Sequence, residues 1–188
     1  MPHKNHLTTA HALWLPHLKP GSTVIDATAG NGHDALFIAK HLLHQACTEL
    51  ICIDIQEKAL LATKTRLSSL PTNLLSKITY IHGSHASLPP MRHPLSLIVY
   101  NLGYLPGSDK TVTTRVDTTL ESVKNSLNTL APGGLISLTL YPGHREGKEE
   151  YQILIPFLKA LSPKKFQLSH PSISNTEHSP KLFVIKSI

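Results

Sequence analysis

Asp26-Ala-Thr-Ala-Gly30-Asn-Gly32-His-Asp34-Ala-Leu-Phe-Ile-Ala39 is the stretch that decides the fold. It follows the apolar run Thr23-Val24-Ile25, which reads as a buried strand. It leads into Ala35–Lys40, which reads as a helix. A strand ending in an acid, then a glycine-rich turn, then a helix lets a polar ligand lie against bare backbone. Gly30 and Gly32 can take angles closed to other residues and carry no Cβ to block a ligand. The N-terminus of the following helix offers unpaired N–H groups. The motif therefore predicts the cofactor site of an α/β protein.

Working outward, strand-like and helix-like segments alternate, which predicts a mostly parallel sheet with helices on both faces. The pattern gives a lead-in helix over 7–18, strands at 22–27, 49–54, 77–82, 95–101 and 135–141, and helices over 33–44, 56–69, 114–130 and 147–161. Pro132-Gly133-Gly134 reads as a turn into the fifth strand. Segments 165–170 and 181–186 read as a closing antiparallel pair around a polar loop at 171–180. No repeat or linker divides the 188 residues, so one domain over 1–188 is expected.

Composition bounds the rest. With 40% hydrophobic and 16% charged residues the chain is globular. No apolar run approaches the ~20 residues needed to span a bilayer. Met1–His6 lacks the apolar core of a signal peptide. Cys47 and Cys52 lie before and inside an apolar strand, which argues against a disulfide framework and for a cytoplasmic location. A net charge of +6 favours a polyanionic partner. The thirteen histidines invite a metal reading. The pairs His41/His44 and His82/His85 come without an HExxH or Cys/His ligand set, so the histidines read as mostly solvated surface and no metal is expected.

In an open parallel sheet, ligands bind outside the carboxyl ends of the strands. The notable polar residues fall at those ends: Asp26 and Gly30, Asp54, Gly83-Ser84, and Asn101. Asp54 can accept both hydroxyls of a ribose; it can equally cap the helix over 56–69. Gly30-Asn-Gly32-His-Asp-Ala35 formally fits GxGxxG/A, which keeps a nicotinamide-dependent oxidoreductase in view. Against it, Asp26 precedes the first glycine by four residues, whereas a dinucleotide turn sets its glycines hard against the strand end.

A second feature follows the fourth strand: Tyr100-Asn101-Leu102-Gly103-Tyr104-Leu105-Pro106-Gly107. With Asp26–Asp34, Asp54-Ile-Gln56 and Tyr141-Pro-Gly-His144-Arg-Glu-Gly-Lys-Glu-Glu150, it resembles the bacterial rRNA-methylase family. These are small class I S-adenosylmethionine-dependent methyltransferases. Members have been assigned to the tRNA wobble uridine, converting 5-aminomethyl-2-thiouridine to its methylaminomethyl form. The resemblance covers nearly the whole chain. It departs at Ser108, where a glycine is common, and over the His- and Ser/Thr-rich C-terminal third.

The resemblance implies a Rossmann-like fold with a mostly parallel seven-stranded sheet and a C-terminal antiparallel strand. It implies S-adenosylmethionine as cofactor, held by Asp26, Gly30, Asn31, Gly32, Asp34, Asp54, Gln56, Ser84, His85 and Asn101. It implies a tRNA anticodon stem-loop as partner and, as in related small enzymes, a homodimer. Asn101-Leu-Gly-Tyr-Leu-Pro106 resembles the Asn/Asp-Pro-Pro-Tyr motif of amino-group methyltransferases. There a side-chain oxygen and a backbone carbonyl accept hydrogen bonds from the amine and aim its lone pair at the methyl. The amine must be neutral to attack, and a partly dry pocket would lower its pKa.

Tyr104 can stack on the target base or sit as a loop aromatic. His144, after the fifth strand, is a weaker candidate for a catalytic base than Asn101 is for an amine holder. Arg92, His93, Lys110, Arg115, His144, Arg145 and Lys148 gather in loops on the expected active edge. Of these, Lys110, Arg115, Arg145 and Lys148 are the candidates for RNA phosphates. Ring-carbon methylation of a pyrimidine commonly uses a cysteine nucleophile. No cysteine follows the fourth strand, so a nitrogen acceptor fits better.

Overall fold

The computed structural model describes residues 6–103, 116–143, 145–171 and 179–188, without the side chains of residues 145 and 146. Strand β1 (Thr23–Asp26) is buried at every position. So is nearly all of β4 (Leu95–Leu102). Mostly apolar strands buried along their length are covered on both faces, as in the middle of a parallel sheet. β2 (Glu49–Asp54), β3 (Ile78–His82), β5 (Leu130–Leu140), β6 (Phe166–Ser169) and β7 (Lys181–Ser187) complete the sheet of the described residues. Its order is β3-β2-β1-β4-β5-β7-β6. β1 to β5 run parallel. β7 enters antiparallel between β5 and β6. This is the expected seven-stranded α/β sheet with its C-terminal antiparallel strand.

Alternation along the strands divides the core in two. Val24, Leu50, Cys52, Leu97 and Val99 pack under α1 (His6–Trp14), α2 (His33–Leu42) and α3 (Glu57–Leu67). Ile25, Ile51, Ile53, Ile98 and Tyr100 pack against α5 (Val116–Thr129) and α6 (Arg145–Lys159). The chain builds β1, β2 and β3 outward in one direction, then crosses back to lay β4 on the other side of β1. The crevice at this reversal opens at the carboxyl ends of β1 and β4, which end in Asp26 and in Asn101-Leu102.

Three boundaries depart from the sequence pattern. α1 stops at Trp14 and tightens into a 3₁₀ turn over Leu15–His17, because Pro16 has no N–H to continue the helix. A one-turn helix, α4 (Thr72–Leu75), follows Pro71 where none was anticipated. β5 begins at Leu130, so Pro132-Gly133-Gly134 lies inside the strand. The expected turn survives as a break in register between Leu95 and Leu97, with Gly133 at φ +72°. No helix among the described residues is long and apolar enough to cross a membrane.

Candidate functional site

The loop after β1 is fixed from below, from α3 and from β2. Below it lies Asp26, completely buried, whose Oδ1 accepts the Thr28 N–H at 3.3 Å. Burial, and then the nearby Asp34 and Asp54 carboxylates, push the Asp26 carboxyl well above the usual range. Its Oδ2 has no hydrogen-bond partner. The sequence makes Asp26 a candidate to hold the cofactor's amine directly or through water; in the structure its bonded oxygen supports the loop through Thr28.

From α3, Thr63 and Arg66 reach the loop's carbonyls. They lie three residues apart and so share one face of the helix. Thr63 Oγ1 donates to the Gly30 carbonyl at 3.1 Å, and Arg66 Nε donates to that of Asn31 at 2.5 Å. Gly30 and Gly32 sit at φ +54° and +75°. A Cβ on Gly32 would lie 2.8 Å from the Thr63 Cα. Gly32→Ala is accordingly expected to cost about 1–2 kcal/mol for the left-handed backbone and about 1–3 kcal/mol more for overpacking against α3. Thermal denaturation should show the loss as a drop of several degrees; an unchanged melting temperature would mean that α3 yields freely.

From β2, Asp54 accepts two backbone N–H groups, Gly30 to Oδ2 and Gln56 to Oδ1, each at 2.9 Å. The N-cap of α3 is Gln56, and Asp54 stands two residues before it. Asp54 therefore joins the glycine loop to the β2–α3 turn. Each carboxylate oxygen has a second lone pair for a ligand.

Asn101 is held on the other side of the loop. Its N–H donates to Thr28 Oγ1 at 2.8 Å. Its side-chain Nδ2 donates to Asp34 Oδ2 at 2.8 Å. A carboxylate only accepts, so the NH₂ group must face it and the amide oxygen must face the other way. Asp34, in the first turn of α2, also takes the imidazole of His11 at 2.6 Å through Oδ1. Beside this group, His6 Nε2 lies 3.1 Å from the Tyr141 hydroxyl. Burial, and then the Asp34 charge, raise the Tyr141 hydroxyl to about 12. Burial lowers the His6 pKa against an opposing pull from Asp34.

Ser84 and His85 part company after β3. Ser84 is exposed, and its Oγ accepts the Ala86 N–H at 3.2 Å. His85 is buried with its ring edge-on to Tyr100, 5.6 Å between centroids. Burial drops its pKa to about 4. Tyr100 in turn bonds Ser122 at 2.7 Å and Ser126 at 2.8 Å, on the face of the sheet opposite Asn101. Against the expectation of mostly solvated histidines, His85 is buried, and His6 and His11 are partly buried in the site. In the first case the ring fills the gap between β4 and α5; in the others α1 lies across the strand ends. Lys148 is exposed on α6. Tyr104, Lys110, Arg115, His144 and the Arg145 side chain lie outside the described residues.

Sequence reasoning missed His11, Thr28, Thr63 and Arg66. Thr28 sits inside the first motif, and the Thr63/Arg66 spacing on a predicted helix was a readable signal. Nothing in the local sequence marked His11, because its partner lies on another helix.

A family model described as "Putative rRNA methylase" matches residues 50–187. Over 165 residues the chain is 35% identical to the "tRNA (mnm(5)s(2)U34)-methyltransferase, chloroplastic" of Arabidopsis thaliana. The match covers 84% of this chain but spans only 60% of that relative's length. A protein of Clostridium thermocellum described in the same terms as the family has a structure with TM-score 0.91 and 33% identity, covering 100% of both chains. A Streptococcus mutans protein described as a methyltransferase, solved in complex with SAH, gives TM-score 0.82 at 27% identity. That match covers 98% of this chain and 99% of the other.

Proposed function

The chain belongs to the rRNA-methylase family, and we propose that it transfers a methyl group from S-adenosylmethionine to an amine on RNA, the 5-aminomethyl group of 5-aminomethyl-2-thiouridine at the tRNA wobble position. The observation that carries the reading is the orientation of Asn101. Its NH₂ group is committed to Asp34. Its oxygen can then accept an N–H of the acceptor amine while the amine's lone pair stays exposed for attack. The chloroplast relative's wobble-uridine activity supports this acceptor.

The charge around the loop supports the cofactor. Asp54 bonds the Gly30 N–H and Asp34 lies in the first turn of the helix that follows Gly32, so two carboxylates flank the loop. A pyrophosphate would be repelled there, which disfavours a nicotinamide dinucleotide. A cationic ligand suits the site. S-adenosylmethionine brings a sulfonium and an ammonium group, and when bound it supplies an electrophilic methyl.

The residues divide the work. Asp54 is placed to take the ribose hydroxyls with the lone pairs that Gly30 and Gln56 leave. Gly30, Asn31 and Gly32 give the amino-acid portion access to backbone. Asn101 accepts from the acceptor amine and holds its nitrogen in line with the methyl, which is catalysis by positioning. The nitrogen–methyl bond forms as the sulfur–methyl bond breaks, and the new ammonium loses a proton to water. Lys110, Arg115, Arg145 and Lys148 are the proposed phosphate contacts, with Tyr104 against the base and His144 beside the acceptor.

Nucleoside mass spectrometry of tRNA from a deletion strain tests the function. Accumulated 5-aminomethyl-2-thiouridine, cleared when the purified enzyme and S-adenosylmethionine are added, is the expected result. An unchanged wobble nucleoside, with a methyl group missing from rRNA instead, would overturn the acceptor and leave the cofactor standing.

A further inference from the structure

We infer that His11, on the first helix, is a positioning residue for the transfer: by holding Asp34 it keeps Asn101 turned with its amide oxygen toward the acceptor amine. The inference rests on the proposed function, and it assigns to α1 a part in the chemistry that neither the glycine loop nor the motif after β4 contains.

Three elements meet in one line of hydrogen bonds. His11 Nε2 on α1 lies 2.6 Å from Asp34 Oδ1 on α2. Asp34 Oδ2 lies 2.8 Å from Asn101 Nδ2 on β4. Because the carboxylate only accepts, Nε2 carries the proton of the first bond. The Asp34 side chain is 9% exposed, and that of His11 24%. The imidazole is itself braced. It stacks on Phe37 at 3.8 Å and 14° and leans on Trp14 at 4.9 Å. Phe37 follows Asp34 by three residues on α2, so one helix face presents both the carboxylate and the ring that aligns its partner.

The orientation matters because an amide has two unlike ends. Its oxygen accepts an N–H and leaves the amine's lone pair free. Its NH₂ group would instead donate into that lone pair and quench the nucleophile. A carboxylate held by a single partner can rotate about its own bond, and Asn101 would turn with it. His11 fixes the second oxygen and removes that freedom. Hydrogen bonds linked through one carboxylate also reinforce one another in a partly dry site.

His11→Ala, His11→Gln and His11→Asn separate this role from simple packing of α1. The glutamine amide nitrogen reaches nearly as far as imidazole Nε2, whereas that of asparagine stops short. His11→Ala is expected to lower kcat about 10- to 100-fold, as a small misplacement of a reacting group does. Affinity for S-adenosylhomocysteine and the KM for tRNA should stay near wild type. His11→Gln should restore most of kcat, and His11→Asn should not.

A second readout needs no turnover. The Asn101 side-chain NH₂ resonances, identified by their loss in Asn101→Ala, should be protected from exchange in the wild type and in His11→Gln, and should exchange fast in His11→Ala. Equal kcat for His11→Ala and the wild type, or NH₂ resonances unchanged in His11→Ala, overturns the positioning role. So does a His11→Gln variant as slow as His11→Ala. A wild-type enzyme that leaves the aminomethyl nucleoside unmethylated while its NH₂ resonances respond to His11→Ala overturns the acceptor instead, and leaves the alignment of Asn101 in place.

Discussion

Asn101→Ala is expected to lower kcat by about 10²- to 10³-fold, the range seen when one preorganised polar group is removed from a reacting centre, while affinity for S-adenosylhomocysteine stays close to wild type. The asymmetry follows from where Asn101 is held. Its backbone N–H is tied to Thr28 and its NH₂ to Asp34. Truncation removes the amide oxygen from the acceptor side and leaves the glycine loop attached to Asp54 and to α3. Asn101→Asp should not rescue, despite its matched shape. It would set a second carboxylate in the place now 2.8 Å from Asp34, where both cannot stay ionised. An added negative charge would also hold the acceptor as its ammonium ion, which has no lone pair. Isothermal calorimetry and single-turnover methyl transfer on the same preparations check both statements. Loss of cofactor affinity in step with turnover would make Asn101 a cofactor ligand and remove it from the acceptor side.

Much of this site could be read before its geometry was known. The β1 run Thr23–Ile25 and the β4 run Leu95–Tyr100 are mostly apolar, broken only by Thr23 and Ser96, a character that strands covered on both faces show. Once β1 is central and parallel to both β2 and β4, the carboxyl ends of all three lie on one edge, which is why Asp54 and Asn101 could be named as candidates from position. Asp26 ends β1 beneath the glycine loop, with one carboxylate oxygen bonded to the Thr28 N–H.

His11 illustrates the opposite limit. Helix α1 buries Ala10 and Trp14 in the core under α2, an ordinary amphipathic pattern that says nothing of its polar side. The docking of α1 on α2 brings His11 to Asp34, with Trp14 and Phe37 packed edge to face beside them. Similarly, Pro132-Gly133-Gly134 carries every local sign of a turn. The sheet absorbs it because Leu130 still pairs with Leu95 beyond the irregularity. In both cases contacts between residues distant in the chain decided what the local sequence left open.

Asp54→Ala should weaken S-adenosylhomocysteine binding by about 10²-fold. Two hydrogen bonds to a charged acceptor are each worth roughly 1.5–3 kcal/mol, and about 3 kcal/mol, the lower bound for the pair, corresponds to that factor. A second consequence separates the ligand role from a purely structural one. The carboxylate also accepts from Gly30 and Gln56, so its loss leaves two backbone N–H groups to find water. Asp54 is partly exposed, so water can reach them, and the cost to stability should stay near 1–2 kcal/mol. A residue that merely organised the β2–α3 turn would lower the melting temperature and leave affinity intact in protein measured well below it. A residue that also holds the ribose loses affinity even in fully folded protein. Asp54→Asn sharpens the contrast. Its single amide oxygen can serve one of the two N–H groups, while its NH₂ faces the other as donor against donor. It should therefore be no more stable than Asp54→Ala, although it keeps the shape of the side chain. Calorimetric titration of both variants at 15 °C below their own melting points decides the matter, and wild-type affinity in Asp54→Ala would return Asp54 to the role of a turn residue.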